Sequence, residues 1–236
     1  QEIIVFIIQV IMHPSKSDKI NIEYKESVII GNGPSAIETV SKTVLKDKNI
    51  ICFNDFSTTE IFHVIKPTQY FLIDPFFFTK SKRSDQIFRE INAVNWQMLL
   101  CIPMHRKKYV EGLISNENIK LIILSINSIN LSNQFIFYLY SKGVAMPKTQ
   151  NVSVAALMYN IFIGVEFIEL HGMEHNWPNL MVVNEKNELC LKRTHFFDDK
   201  NGELSVWRRP DGSKWNVSDS LKALSRMFQS YNIIAD

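Results

Sequence analysis

Ser27-Val28-Ile29-Ile30-Gly31-Asn32-Gly33-Pro34-Ser35-Ala36-Ile37-Glu38 passes from a β-branched run, through two glycines and a proline, into a helix-opening segment. A short apolar run of this kind reads as a strand buried on both faces, as in a parallel sheet. The glycines allow a tight turn and let backbone approach a ligand closely. Ser35 to Glu38 opens a helix that the pattern carries to about Leu45. Free N–H groups at such a helix start favour a phosphate, and Asn32 and Ser35 add side-chain hydrogen bonds. The loop lacks the third glycine of the dinucleotide fingerprint and the Gly-Lys-Ser/Thr of a Walker loop. Its plain alternative is a strand–turn–helix corner with no ligand.

The same alternation continues outward. Strands are expected at Ile50–Phe53, Gln69–Ile73, Gln97–Ile102, Leu121–Leu124 and Phe167–Leu170, with helices at Asp85–Val94 and Val152–Ile163. Strands alternating with helices specify an α/β fold built on a doubly wound, mostly parallel sheet. Ligands of such sheets sit at the carboxyl ends of the strands. Ser125 to Asn133, rich in Ser and Asn, reads as a loop. From Asn184 to Val217 the glycines, Pro210-Asp211-Gly212 and aromatic clusters predict hairpins or a lid. Ser218 then caps an amphipathic helix to about Tyr231. The division expected is a single domain over 1–236, with a nucleotide-binding core at 27–183, a lid-like segment at 184–217 and a late helix at 218–236.

The 236 residues, 46% hydrophobic and 21% charged, suffice for a core without staples. A net charge of +2 gives no reason to expect nucleic acid. Three widely spaced cysteines, with no C-x-x-C, argue against a disulfide framework or structural zinc and fit a reducing cytoplasm. Ile3 to Met12 is about half the ~20 residues of a membrane span. It reads as a core strand or short buried helix, alternatively as a packing or membrane-surface segment. The start at Gln1 and the close on a helix without a Gly cap lead us to expect native sequence beyond both ends.

Three further segments carry polar chemistry. Phe53-Asn54-Asp55-Phe56 ends the strand next to the glycine loop, and Asn54 can donate and accept toward a base or ribose. The alternative is an Asx turn. His171-Gly172-Met173-Glu174-His175-Asn176-Trp177 follows another strand, and Glu174 suits ribose hydroxyls. His171-x-x-Glu174-His175 superficially matches H-x-x-E-H, but that motif needs a helix and Gly172 and Pro178 break one, so no metal is expected. Arg193-Thr194-His195-Phe196-Phe197-Asp198-Asp199, with Trp207-Arg208-Arg209 beyond, suits a general base in a late loop. It equally suits a surface hairpin. Asp198-Asp199 is not the Asp-x-Asp metal clamp. His13, His63 and His105 have no titratable neighbours in sequence.

These segments together resemble the bacterial sialyltransferases that use CMP-sialic acid. That family's glycine loop reads G-N-G-P-S, as Gly31 to Ser35 does. Its next strand ends C-N, near Cys52-Phe53-Asn54, and a later strand ends N-P-S, near Ile73-Asp74-Pro75. Val154 to Gly172 is similar to its A-x-A-L-G-(Y/F)-K-E-I-Y-L-S-G-I-D segment, with Gly164 and Gly172 at matching spacing. Ser218 to Tyr231 resembles its late helix. The similarity is scattered over residues 27 to 231, and the archaeal pterin pyrophosphokinase-like proteins share the first loop.

The resemblance implies a GT-A-like variant of the fold. It implies inverting, metal-independent transfer of sialic acid or a related ulosonic acid from a CMP-activated donor, with no cofactor. The acceptor would be a glycan or a lipid-linked oligosaccharide, as in lipopolysaccharide or capsule assembly. Such an enzyme works in the cytoplasm, where peripheral contact with the inner membrane face and homo-oligomerisation are both compatible. Residue by residue, Asn32, Gly33, Pro34 and Ser35 would hold the CMP phosphate and ribose, and Asn54 the nucleotide. Gly172, Met173 and Glu174 would take the cytidine, and Ser153 joins the substrate set. His195 would be the base, with His171 and His175 as its rivals. Asn176 stands where the family has a phosphate-stabilising Tyr, so Trp177, His175, Arg193, Arg208 or Arg209 would replace it, and Lys148 or Thr149 stands near a family Arg. The rival class is a pyrophosphokinase-like or other nucleotide-dependent transferase; a third reading is nucleotide binding without catalysis.

Overall fold

The computed structural model describes residues 2–21, 23–36, 38, 40, 45, 47–192, 204–209 and 211–236. Strands β1 (Glu26–Ile30), β2 (Asn49–Phe53), β3 (Gln69–Phe71), β4 (Met98–Pro103), β5 (Ile119–Leu124) and β6 (Phe167–His171) form one sheet in the order β5-β4-β3-β2-β1-β6. Every pairing in it is parallel. Successive side chains of a strand point to opposite faces, and both faces of β1 are apolar. Val28 and Ile30 join one buried cluster with Phe62, Ile87 and Ile91. Ile29 joins the other with Ala155, Tyr159 and Ile163. The expected doubly wound α/β fold is therefore the observed one.

Helices α2 (Glu60–Ile65), α3 (Lys82–Asn92) and α4 (Lys107–Glu111) contribute to the first cluster, as does Ala36. Helices α1 (Glu2–Met12), α5 (Gln134–Ser141) and α6 (Val152–Ile163) contribute to the second. α6 begins and ends where the sequence places it: Asn151 caps Ser153 N–H, and Gly164 closes it in left-handed backbone at φ 94°. A buried polar knot ties α6 to the sheet. Asn49 Nδ2 donates to Ser27 Oγ at 2.8 Å and to Asn160 Oδ1 at 2.9 Å, and Asn160 Nδ2 donates to Gln69 Oε1 at 3.2 Å.

Several expectations need correction. The segment Ile3–Met12 is neither a core strand nor a buried helix. It is helix α1, in which Phe6 is buried while Ile4 and Ile11 are 64% and 71% exposed. Helices α2, α4 and α5 went unforeseen because they are short and their apolar spacing spans barely two turns. β3 stops at Phe71, short of Ile73.

The lid-like segment contains an antiparallel sheet of β7 (Met181–Val183), β8 (Leu189–Lys192) and β9 (Leu204–Val206). It therefore begins before Asn184, on the core side of the expected boundary, immediately after α7 (Trp177–Leu180). The late helix α8 (Val217–Ala235) is capped by Asn216, not Ser218: Asn216 Oδ1 accepts from Asp219 N–H at 2.8 Å. Among the described residues no helix is long and apolar enough to cross a membrane.

Candidate functional site

The chain runs outward from β1 to β5 and then returns to the far side of β1 with β6. The reversal makes the carboxyl ends of β1 and β6 a topological switch point, where such sheets open a ligand crevice. Ile30 pairs with His171 there, so the Gly31 loop and the Gly172 loop leave the sheet side by side. They are laced together: Gly31 N–H donates to His171 carbonyl at 2.8 Å and Gly33 N–H to Gly172 carbonyl at 2.9 Å. A methyl at Gly31 would overlap the Gly172 carbonyl, and Gly172 itself lies at φ 65°. Both glycines are required by this close approach, since a side chain would push the two loops apart.

A crevice of about 450 Å³ opens here, lined by Ser35, Leu170, Gly172, Glu174, His175 and Tyr231 among others. Of the residues expected at the site, Ser35, Gly172, Met173, Glu174 and His175 thus converge on one space, with His171. Asn32 and Gly33 sit on the loop beside it, and Pro34 is exposed on its crest. Asn32 Oδ1 and Asn54 Oδ1 are buried without a hydrogen-bond partner, at the ends of neighbouring strands β1 and β2. Unpaired buried polar atoms of this kind call for a reason, and a bound ligand is one. Asn54 takes left-handed backbone at φ 58°, and its carbonyl accepts from Tyr70 Oη at 2.5 Å.

The electrostatics depart from the expectation of free N–H groups. Ser35 N–H is already engaged by Glu174 Oε1 at 2.7 Å, and a methyl at Gly33 would overlap the Glu174 carboxylate. The protein's own carboxylate therefore occupies the helix start where a phosphate was expected. Negative charge is favoured at that position, so Glu174 competes with a phosphate there. Its second oxygen, Oε2, lies against Gly33.

In the same crevice His175 Nε2 lies 2.9 Å from Tyr231 Oη, and Tyr231 Oη lies 2.5 Å from Ser153 Oγ. The sequence singled out His175 and Ser153 but missed Tyr231, Phe228 and Leu170. The spacing Leu224-Phe228-Tyr231 reads as the buried stripe of α8, and nothing local says that α8 crosses the crevice. Burial pulls the His175 imidazole below its ordinary value of 6.5, with Glu174 pulling it back. Burial raises Tyr231, partly offset by the Ser153 hydroxyl.

Arg208 is not among the described residues that line this crevice. It is exposed, bridges to Lys214 and donates to Gly212 carbonyl at 2.9 Å within its own turn. Arg209 is held by Asp219 at 2.6 Å and lies over Trp215, so it too serves the local fold. His195, Arg193 and Asp198-Asp199 lie outside the described residues. His171 pairs with Glu169 at 3.1 Å, and Glu169 with Lys48 at 2.5 Å. The histidines without sequence neighbours gain them in space: His13 and His105 rings approach to 6.4 Å, and His63 Nε2 lies 3.5 Å from Glu90. Among the described residues no group of three metal-ligating side chains occurs. All three cysteines are free and buried. No family model matches the chain, no curated protein matches it, and no solved structure matches it.

Proposed function

We propose that this chain is a glycosyltransferase that binds a CMP-activated sugar, sialic acid or a related ulosonic acid, at the β1/β6 crevice. It passes that sugar to a hydroxyl of a glycan or lipid-linked oligosaccharide. The observation that carries the reading is the meeting of Gly31–Ser35 with Gly172–His175 at the topological switch point. The two segments with the strongest nucleotide chemistry in the sequence converge there across ~140 residues of chain. Glu174 would accept from the ribose hydroxyls, and Asn32 and Asn54 supply unpaired carbonyl oxygens to the same edge. With Ser35 N–H engaged by Glu174, the phosphate of CMP would lie toward the His175 and Tyr231 wall. Transfer with inversion breaks the anomeric C–O bond to phosphate as the acceptor oxygen attacks. A monophosphate leaving group needs hydrogen-bond donors rather than a metal.

A thermal-shift panel of CMP, UDP, GDP and ATP, each with and without Mg²⁺ and EDTA, tests this. CMP at 100 times its Kd should stabilise the fold by about 2.7 kcal/mol, or roughly 5–10 °C for a chain of this size. The shift should survive EDTA and be absent with UDP or GDP. A larger shift with ATP plus Mg²⁺ would replace this reading with the pyrophosphokinase-like one.

A further inference from the structure

Ser153, His175 and Tyr231 come from three places far apart in the chain: the first turn of α6, the loop after β6 and the last turns of α8. They meet as a continuous chain of polar atoms, Ser153 Oγ to Tyr231 Oη at 2.5 Å and Tyr231 Oη to His175 Nε2 at 2.9 Å. The imidazole lies among the rings of Trp177, Phe228 and Tyr231, at 5.9, 6.1 and 5.2 Å. A packing role alone would not need it. His175 also holds left-handed backbone at φ 47°, a conformation that non-glycine residues rarely adopt. Strain of this type gathers at sites where a side chain must be aimed. With Nε2 engaged by Tyr231, Nδ1 has no hydrogen-bond partner among the described residues, and the residue lines the crevice.

We propose that His175 is the proton acceptor of the crevice, and that Tyr231 and Ser153 position it by fixing its tautomer. In this arrangement His175 Nε2–H donates to Tyr231 Oη, Tyr231 O–H donates to Ser153 Oγ, and the Nδ1 lone pair faces the reactants. This rests on the glycosyl-transfer reading. The acceptor alcohol gives its proton to Nδ1 while its oxygen forms the bond to the anomeric carbon. The bond from that carbon to the phosphate oxygen breaks, and CMP leaves with the electron pair. His175 becomes an imidazolium beside the departing phosphate and later returns the proton to water. The titratable groups that line the crevice with it are His171, Glu174 and Tyr231. Glu174 favours the imidazolium and burial opposes it, so the ring is neutral and competent as a base at neutral pH.

The test uses the full chain and three variants, His175→Asn, Tyr231→Phe and Ser153→Ala. Asparagine is chosen at 175 because it tolerates left-handed backbone. CMP release from CMP-N-acetylneuraminate, with lactose as acceptor, is followed across pH. CMP binding is measured by thermal shift, and the histidine tautomers by ¹⁵N NMR. His175→Asn should lower kcat by ~10²-fold or more, the usual scale for a general base, and reduce the CMP shift far less than it reduces turnover. In the wild type, NMR should show Nε2 protonated. Tyr231→Phe should mix the tautomers and move the acidic limb of the rate profile in step with the NMR titration of His175. Ser153→Ala should do so to a smaller degree. Full turnover in His175→Asn overturns this inference alone, as does an Nδ1–H tautomer in the wild type. Absence of CMP release by the wild type overturns the transfer reading and takes this inference with it.

Discussion

At the scale of single residues, the site depends on positions where one atom too many is costly. A methyl at Gly172 would meet the Ala36 side chain and the Gly31 carbonyl, in backbone that is already left-handed. Gly172→Ala should therefore lower the stability by about 1–3 kcal/mol, read from urea unfolding, and weaken CMP binding as the loops separate. His175 makes a second prediction. Its folded value lies below 6.5, so above that pH the ring is neutral in both states and contributes no pH dependence. As pH falls below 6.5 the unfolded chain takes the proton and the folded one does not, so stability declines until the folded value is reached. His175→Asn should reduce the decline between pH 6.5 and 5, as measured by melting temperature. A residual slope from His105, also held low by burial and Arg106, should remain.

At the scale of elements, α6 is held by a polar knot rather than by apolar packing alone. Asn160 is fully buried and serves Asn49, Gln69 and the Ala156 carbonyl. Removing it leaves Gln69 Oε1 without this donor in the core and Asn49 Nδ2 with Ser27 Oγ as its remaining acceptor. Asn160→Ala should cost roughly 2–4 kcal/mol, and an Asn49→Ala/Asn160→Ala cycle should be strongly non-additive because the two share partners. Helix α1 gives the opposite case. Its isoleucines are apolar enough to suggest a core strand, yet Phe6 is its buried residue. Replacing Ile4, Ile8 and Ile11 together by Gln should change stability by no more than about 0.5 kcal/mol, where the same changes in a core strand would cost several. The sequence pattern misled here because local hydrophobicity reports burial somewhere, not burial in this fold.

At the scale of the whole molecule, the crevice exists because β6 returns beside β1 rather than adding beyond β5. A ligand there touches the first and sixth strands together with α8. CMP at saturation should therefore slow amide hydrogen exchange in 31–36, in 172–176 and around Phe228–Tyr231 together, while β4 and β5 remain unchanged. Protection confined to the glycine loop would place the ligand on one wall and contradict a shared crevice.

What the sequence determined by itself was the six strands of the central sheet together with α3, α6 and the late helix. β-branched runs closed by Gly, Asn or Asp announced the strands, because a strand buried on both faces needs continuous apolar residues. The end of α6 was legible from Gly164, since a helix C-cap is local chemistry. So were the two polar loops, Gly31–Ser35 and Gly172–His175, which the resemblance assigned to one nucleotide, although not that their backbones hydrogen-bond to each other. The tertiary structure alone decided that Glu174 takes the Ser35 N–H and that Ser153 and Tyr231 reach His175. It also decided that Arg208 donates within its own turn, to the Gly212 carbonyl. The physical reason is the same in each case. Backbone conformation follows from neighbours a few residues away, whereas hydrogen bonds spanning 56, 78 and 139 residues follow from strand order and helix packing. Periodicity and caps carry no trace of either.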